Sequence, residues 1–160
     1  EGDDVAAILV GGMDVELAAR EFRKRLPESS GRLKVEMARW LAKNEKDGAT
    51  NEEYAEAIAG VATEPSSAAW GALIAMRDVD TSATRTFLLR AVAEHPDSLA
   101  RYHAAESFLH IIGATPNTIA DHKEIFGHLV AGVKEKEPSD ADREEWQRAA
   151  DGLRALTEKK

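Results

Sequence analysis

The stretch Ser98–Gly113 carries apolar residues over most of its predicted helical surface. Tyr102, Ala105, Leu109 and Ile112 recur at steps of three and four residues, which places them on one face of a helix. A second apolar row runs beside the first and leaves a narrow polar strip, which consists of His103, Glu106, Ser107 and His110. A helix with so wide an apolar surface must be covered by neighbours on two sides, so the pattern favours a layered stack of helices.

The same period, interrupted by capping and breaking residues, predicts nine helices along the chain. They are Val5–Val10, Asp14–Leu26, Arg32–Asn44, Thr50–Thr63, Ser66–Met76, Ser82–Glu94, Ser98–Gly113, Pro116–Glu137 and Ser139–Thr157. No stretch shows convincing alternation with a period of two residues. The predicted fold class is therefore all-α.

Local signals mark where several of these helices begin and end. Asp14 and Asp97 are predicted N-caps, and the run Thr50–Glu53 has the form of a capping box. Ser139 and Asp142 resemble a second box, and Gly113 is a natural left-handed terminus.

Alternate predicted helices share a signature in which a small residue is followed four positions later by a large aliphatic one. The five pairs are Ala6 and Val10, Met37 and Leu41, Ala69 and Leu73, Ala105 and Leu109, and Ala149 and Leu153. Successive aliphatic anchors lie 31, 32, 36 and 44 residues apart, with one further amphipathic helix between them. Helix pairs that recur at about 30–45 residues are typical of solenoids, in which each pair buries its apolar face against its neighbours.

Two segments resemble the first helices of HEAT-type, armadillo-like repeats, which commonly read Arg-x-x-Ala-Ala-x-x-Leu with a glycine exit. These segments are Arg101–Gly113 and Trp146–Leu156. The resemblance implies a right-handed α–α superhelix of about four and a half helical hairpins, forming a single domain over residues 1–160. It also implies a curved surface for binding or scaffolding and implies no catalysis.

Composition and charge narrow the choice of partners. The chain carries 21 Lys and Arg residues against 29 Asp and Glu, a net charge of −8, so it is a poor match for nucleic acid or an anionic membrane surface. Its longest uncharged apolar-rich run, Pro65–Met76, is far shorter than the roughly 20 residues that span a bilayer. We therefore expect a soluble protein, either cytoplasmic or exported after removal of a signal peptide that this sequence does not contain. Because it begins at Glu1 without Met, it also fits a segment of a longer protein or a processed product.

Site chemistry is sparse in the sequence. There is no cysteine, and no phosphate loop, dinucleotide fingerprint or nucleophile elbow occurs. Glu106 and His110 are spaced as half of a metal site, but no second half is visible, and His103 lies about 10.5 Å of helix rise from His110. We predict no catalytic residues, no metal site and no cofactor.

The densest run of positive charge covers the second helix and the start of the third. Its members are Arg20, Arg23, Lys24, Arg25, Arg32 and Lys34, and the run is interleaved with Glu16, Glu21, Glu28 and Glu36. This interleaving favours a solvated, charge-paired surface over a ligand site.

The expected function is non-enzymatic binding or scaffolding of a protein or peptide partner. In a superhelix of this kind the second helix of each pair lines the concave surface, so its polar residues are the candidate contacts. Those residues are Arg20, Arg23, Lys24, Glu52, Glu56, Arg85, Lys123 and His128. Two alternatives remain open: a helical-repeat enzyme of the DNA-base-excising or tetrapyrrole-lyase type, and a purely structural segment of a longer solenoid.

Overall fold

The computed structural model describes residues 14–45, 48–64, 67–114 and 138–158. These residues form helices and turns without any strand, which confirms the all-α prediction. The α-helices are α1 Val15–Arg25, α2 Gly31–Asn44, α3 Gly48–Ala62, α4 Ser67–Ala75, α5 Ser82–Glu94, α6 Ser98–Ile111 and α7 Asp140–Glu158. Short 3₁₀ helices, Leu26–Glu28 and Met76–Asp78, follow α1 and α4. The predicted helices Val5–Val10 and Pro116–Glu137 lie outside the described residues.

Side-chain caps fix the starts of α1 and α6 as predicted. The Asp14 carboxylate accepts a hydrogen bond from the Glu16 amide at 3.0 Å, and Asp97 accepts bonds from the first amides of α6. Ahead of α7, Ser139 and Asp142 exchange hydrogen bonds in both directions, so the second capping box is confirmed. At the other end of α6, Gly113 has a φ of 68°, which confirms the predicted left-handed terminus.

The predicted capping box at Thr50 is wrong. Helix α3 begins at Gly48, so Thr50 already lies within its first turn and cannot be the N-cap.

Helix packing follows a regular order along the chain. Contacts join the successive pairs α1–α2, α2–α3, α3–α4, α5–α6 and α6–α7, and also the next-but-one pairs α2–α4, α3–α5, α4–α6 and α5–α7. Thus α2, α4 and α6 lie side by side, and α3, α5 and α7 form a second set, called here the α3–α5–α7 row.

Helix α7 departs from its predicted place. The repeat signature puts it in line with α6, as the first helix of a further pair, whereas in the structure it packs mainly against α5 and to a smaller extent against α6. Its side chains explain the arrangement, because Ala150 and Gln147 border the surface of α5 while Trp146 reaches Arg101 of α6.

The repeat signature correctly identifies core positions. Its four pairs within the described residues are all buried: Met37 and Leu41, Ala69 and Leu73, Ala105 and Leu109, and Ala149 and Leu153. The helical spacing of apolar residues also predicts that Leu33 of α2 and Ile74 of α4 face the core, but each is 37% exposed. Ser107, in the polar strip predicted on α6, is buried.

Arg101 is a fully buried cation at the contact between α6 and α7. Its guanidinium carbon lies 3.5 Å from the centre of the Trp146 ring, and its Nη1 donates to the carbonyls of His95 and Pro96 at 2.7 and 3.0 Å. Burial lowers the pKa of Arg101 to about 10, against the opposing influence of Asp97 and then Asp142. The Arg101 guanidinium therefore stays protonated at neutral pH. It joins α6 to α7 and to the loop that precedes α6.

Replacing Arg101 by lysine should destabilise the fold, because an ammonium cannot cover the Trp146 ring and reach both carbonyls as a planar guanidinium does. We expect Arg101→Lys to lower the free energy of unfolding by about 1–3 kcal/mol in urea titrations. The control Arg148→Lys changes an exposed arginine on α7 and should stay within about 0.5 kcal/mol of wild type. If the two variants are equally stable, the contact between the Arg101 guanidinium and the Trp146 ring does not hold α7 in place.

Two leucines of α2 differ in how far they are buried. Leu41 is completely buried, whereas Leu33 is partly exposed on the same helix. Leu41→Ala should cost about 2–5 kcal/mol of unfolding free energy, and Leu33→Ala should cost clearly less, because little apolar area leaves the core. Thermal or urea unfolding followed by circular dichroism measures both, and similar losses would contradict the packing described here.

Candidate functional site

A groove of about 350 Å³ runs between α3 and α5. Alanine side chains line much of it, because Ala55 and Ala59 of α3 lie opposite Ala83 of α5. Glu56, Phe87, Arg90 and three hydroxyl side chains complete the lining: Ser82, Thr84 and Thr86. Small side chains on neighbouring helices leave this open space, and the surrounding groups supply a carboxylate, a guanidinium and an aromatic ring.

Arg90 lies where this groove meets two others. It lines a second groove near the ends of α3 and α5, with Glu64 and Glu94, and a third between α5 and α7, with Gln147 and Arg154. Its guanidinium carbon sits 5.3 Å from the centre of the Phe87 ring, which holds it over an apolar surface. No carboxylate within the described residues forms an ion pair with Arg90, so its hydrogen-bond donors are available to a ligand.

A separate groove of about 660 Å³ lies between α1 and the end of α2. It brings together Arg20 and Arg23 with the exposed apolar residues Val15 and Leu17. Its lining also includes three carboxylates and an amide, those of Asp14, Glu16, Glu45 and Asn44.

Arg23 is tied to the protein interior through Glu45. The Glu45 carboxylate accepts a hydrogen bond from the Arg23 guanidinium on one oxygen and from the Tyr54 hydroxyl on the other. Tyr54 is buried, and burial together with this bond to Glu45 raises its pKa from 10.0 to about 12. The hydrogen bonds to Glu45 and Tyr54 raise the pKa of Arg23 as well. This chain of contacts joins α1 to α3 through the residue that follows α2.

The predicted contact residues fall into separate groups. Arg20 and Arg23 share the α1–α2 groove, and Lys24 is exposed further along α1. Glu56 lines the α3–α5 groove, and Glu52 accepts a hydrogen bond from the Ser82 hydroxyl at 3.4 Å across the same two helices.

The remaining predicted contact residues are Arg85, Lys123 and His128. Arg85 donates hydrogen bonds to Asp80 from Nε at 2.7 Å and from Nη2 at 2.9 Å, and Arg85 lines none of the grooves above. Lys123 and His128 lie outside the described residues.

Sequence reasoning missed Phe87 and Arg90. The helical period assigns Phe87 to the inner surface of α5, and its ring is indeed partly buried, but it also borders the groove. The sequence contains one signal for this pair. Arg90 follows Phe87 by three residues, and that spacing puts both side chains on one side of a helix.

Side chains of the polar strip predicted on α6 contact other residues of the protein. Glu106 accepts a hydrogen bond from Arg77 and lies 3.6 Å from His103 Nδ1, while Ser107 accepts a bond from Arg77 Nε at 3.1 Å. Glu106 therefore pairs with these groups rather than with His110. Within the described ranges no group of three or more His, Cys, Asp or Glu side chains is placed to hold a metal ion. In that same part of the chain no helix is long and apolar enough to cross a membrane.

Comparison with known proteins identifies no relative. No family model matches the chain, and neither the curated proteins nor the solved structures include a significant match.

The raised pKa of Tyr54 predicts a late ionisation. The ultraviolet absorbance difference between wild type and Tyr54→Phe should titrate with a midpoint near 12 instead of the usual 10 while circular dichroism still shows a folded chain. Because the folded protein keeps the phenol proton where the unfolded chain releases it, this group's contribution to stability is constant below about pH 10 and falls between about pH 10 and 12. A midpoint at 10 in the folded protein would contradict the burial of the Tyr54 phenol together with its bond to Glu45.

Proposed function

We propose that this chain is a non-enzymatic helical-repeat module that binds a peptide or a peptide-like segment of a partner protein along the α3–α5–α7 row. The proposal includes a HEAT-like superhelical stacking of helical hairpins. The next-but-one contacts support that stacking, because each helix of a repeat array packs against its counterpart in the next repeat.

The observation that carries the proposal is the meeting of three grooves at Arg90. An extended or helical segment of a partner can lie across α5 only if side-chain-sized spaces open on both sides of that helix, and grooves border α5 towards both α3 and α7. Arginine and aromatic residues are the side chains that most often dominate binding energy at protein interfaces. Arg90 and Phe87 are an arginine and an aromatic residue at the centre of this surface.

The lining chemistry favours binding over catalysis. The α3–α5 groove is bordered by alanines and hydroxyl side chains, and its two charged groups, Glu56 and Arg90, have opposite signs. Catalysis by a carboxylate pair or a nucleophile and base requires such groups to converge on one point, and the described grooves provide apolar surface with isolated polar anchors instead.

Arg90→Ala tests this function. Peptides selected from a random library by immobilised wild-type protein should bind Arg90→Ala at least roughly tenfold more weakly, because truncation of a central interface arginine typically costs about 2 kcal/mol. Fluorescence anisotropy with labelled selected peptides measures the change.

The matched control is Arg148→Ala, which truncates an exposed arginine of α7 that lines none of the grooves described. It should retain wild-type affinity. Failure to select any peptide, or equal binding by both variants, would refute the assignment of the row as the binding surface.

A further inference from the structure

We propose that the α3–α5–α7 row selects an extended segment in which one acidic residue lies between two basic ones, in the order Lys-x-Glu-x-Lys. The segment lies in the α3–α5 furrow, which we define as the open space from Ala55 and Ser82 to Glu64 and Pro96. The inference rests on the proposed binding function, because it names the chemistry of the segment that this surface takes.

The furrow consists of two grooves that join along α5. One is the groove of about 350 Å³ between α3 and α5, and the other is the groove of about 270 Å³ near the ends of these helices. Phe87 and Arg90 line both grooves, so the open space continues past these two side chains.

Helices α3 and α5 run in the same direction along the furrow. Near their starts Glu52 accepts a hydrogen bond from Ser82 at 3.4 Å, and at their ends Glu64 lines the furrow together with Glu94. The 13 residues of α5 are about 20 Å long, which is room for about six residues of an extended segment.

The charged side chains change sign along the furrow. Glu56 lines its first part and Arg90 its middle. Glu64 and Glu94 line its far end. His95 also lines that end, but its Nδ1 accepts a hydrogen bond from the Asp97 amide at 3.1 Å, as a neutral imidazole does. Three carboxylates and one guanidinium therefore give the furrow a net charge of −2.

These four charged groups are available to a ligand. Within the described part of the chain none of them forms an ion pair, whereas other charges beside the row are neutralised internally, as in the pairs of Arg85 with Asp80 and of Arg154 with Asp151. The Arg90 guanidinium is held 5.3 Å from the centre of the Phe87 ring, and its donors can bind one carboxylate of a ligand.

The spacing of two carboxylates on α3 sets the spacing of the basic residues. Glu64 follows Glu56 by eight residues, and the helical turn continues to Glu64, whose amide donates to the Val61 carbonyl at 3.1 Å. Eight residues correspond to about 12 Å of helical rise, and residues i and i+4 of an extended segment are about 13 Å apart. Residues i, i+2 and i+4 point to one side, so two basic residues face the carboxylates and the acidic residue between them faces Arg90.

Apolar surface accommodates the rest of the segment. The alanines of the furrow, including Ala59 and Ala91, and the partly buried ring of Phe87 lie between the charged groups. The aliphatic stems of lysine side chains pack on such a surface while their ammonium groups reach the carboxylates at its border.

Three labelled peptides with blocked ends test the order of charges. The matching peptide is Ala-Lys-Leu-Glu-Leu-Lys-Ala, the permuted peptide is Ala-Lys-Leu-Lys-Leu-Glu-Ala, and the charge-reversed peptide is Ala-Glu-Leu-Lys-Leu-Glu-Ala. In fluorescence anisotropy at low ionic strength the matching peptide should bind about tenfold more tightly than the permuted peptide, which has the same composition but places two of its three charges against like charges. The charge-reversed peptide should not bind.

A double variant tests the two flanking carboxylates. Glu56→Lys combined with Glu64→Lys should bind the matching peptide about tenfold more weakly, because two attractive contacts become repulsive. It should instead bind Ala-Glu-Leu-Glu-Leu-Glu-Ala, which the wild type repels. The control Glu28→Lys with Glu144→Lys makes the same change of net charge at exposed positions outside the grooves and should bind the matching peptide like wild type. Circular dichroism and thermal unfolding confirm that each variant is folded.

The proposed charge order is wrong if the matching peptide does not bind at low ionic strength, if it binds no more tightly than the permuted peptide, or if both double variants lose affinity equally. It is also wrong if peptides selected from the random library depend on Arg90 but lack the two basic residues. In that case the row is still a binding surface with a different specificity. Failure to select any peptide refutes the binding function itself, so the two failures are distinguishable.

Discussion

The close approach of alanine-lined helix surfaces is the constraint on which this fold depends. Among the described residues, nearly half of the buried apolar positions are alanines. They occur on every α-helix described, for example Ala38 on α2, Ala72 on α4 and Ala104 on α6. A methyl group lets two helix backbones come near each other, so one helix can contact both its successor and the helix after that. Where alanines face open space instead of a neighbour, as at Ala59 and Ala83, the same small size leaves a groove.

A different interaction joins α7 to α6. There the guanidinium of Arg101 covers the Trp146 ring and donates hydrogen bonds to two carbonyls of the preceding loop. A buried cation is costly to desolvate, and here the aromatic surface and the carbonyl oxygens replace part of its hydration. The Nε and Nη2 atoms of Arg101 have no hydrogen-bond partner among the described residues. This contact anchors α7 to α6 while most of its packing surface lies on α5.

Local features of the fold were predictable from sequence, whereas most of the candidate surfaces were not. Helix positions and buried anchors such as Leu41 and Leu153 follow from the helical spacing of apolar residues within single segments of the chain. The place of α7 beside α5 depends on contacts between distant segments, which no local pattern records. The groove at Phe87 and Arg90 exists only because α3 and α7 flank α5, so its residues looked like ordinary members of an amphipathic helix.

The link from Arg23 through Glu45 to Tyr54 connects an exposed groove with the interior. Any occupant of the α1–α2 groove that draws the Arg23 guanidinium towards itself changes the charge balance on Glu45, and that carboxylate is also the acceptor for the buried phenol. The near-ultraviolet spectrum of a tyrosine responds to the strength of the hydrogen bond that its hydroxyl donates. Tyr54 is therefore the chromophore through which a displacement of Arg23 would reach the spectrum of the protein.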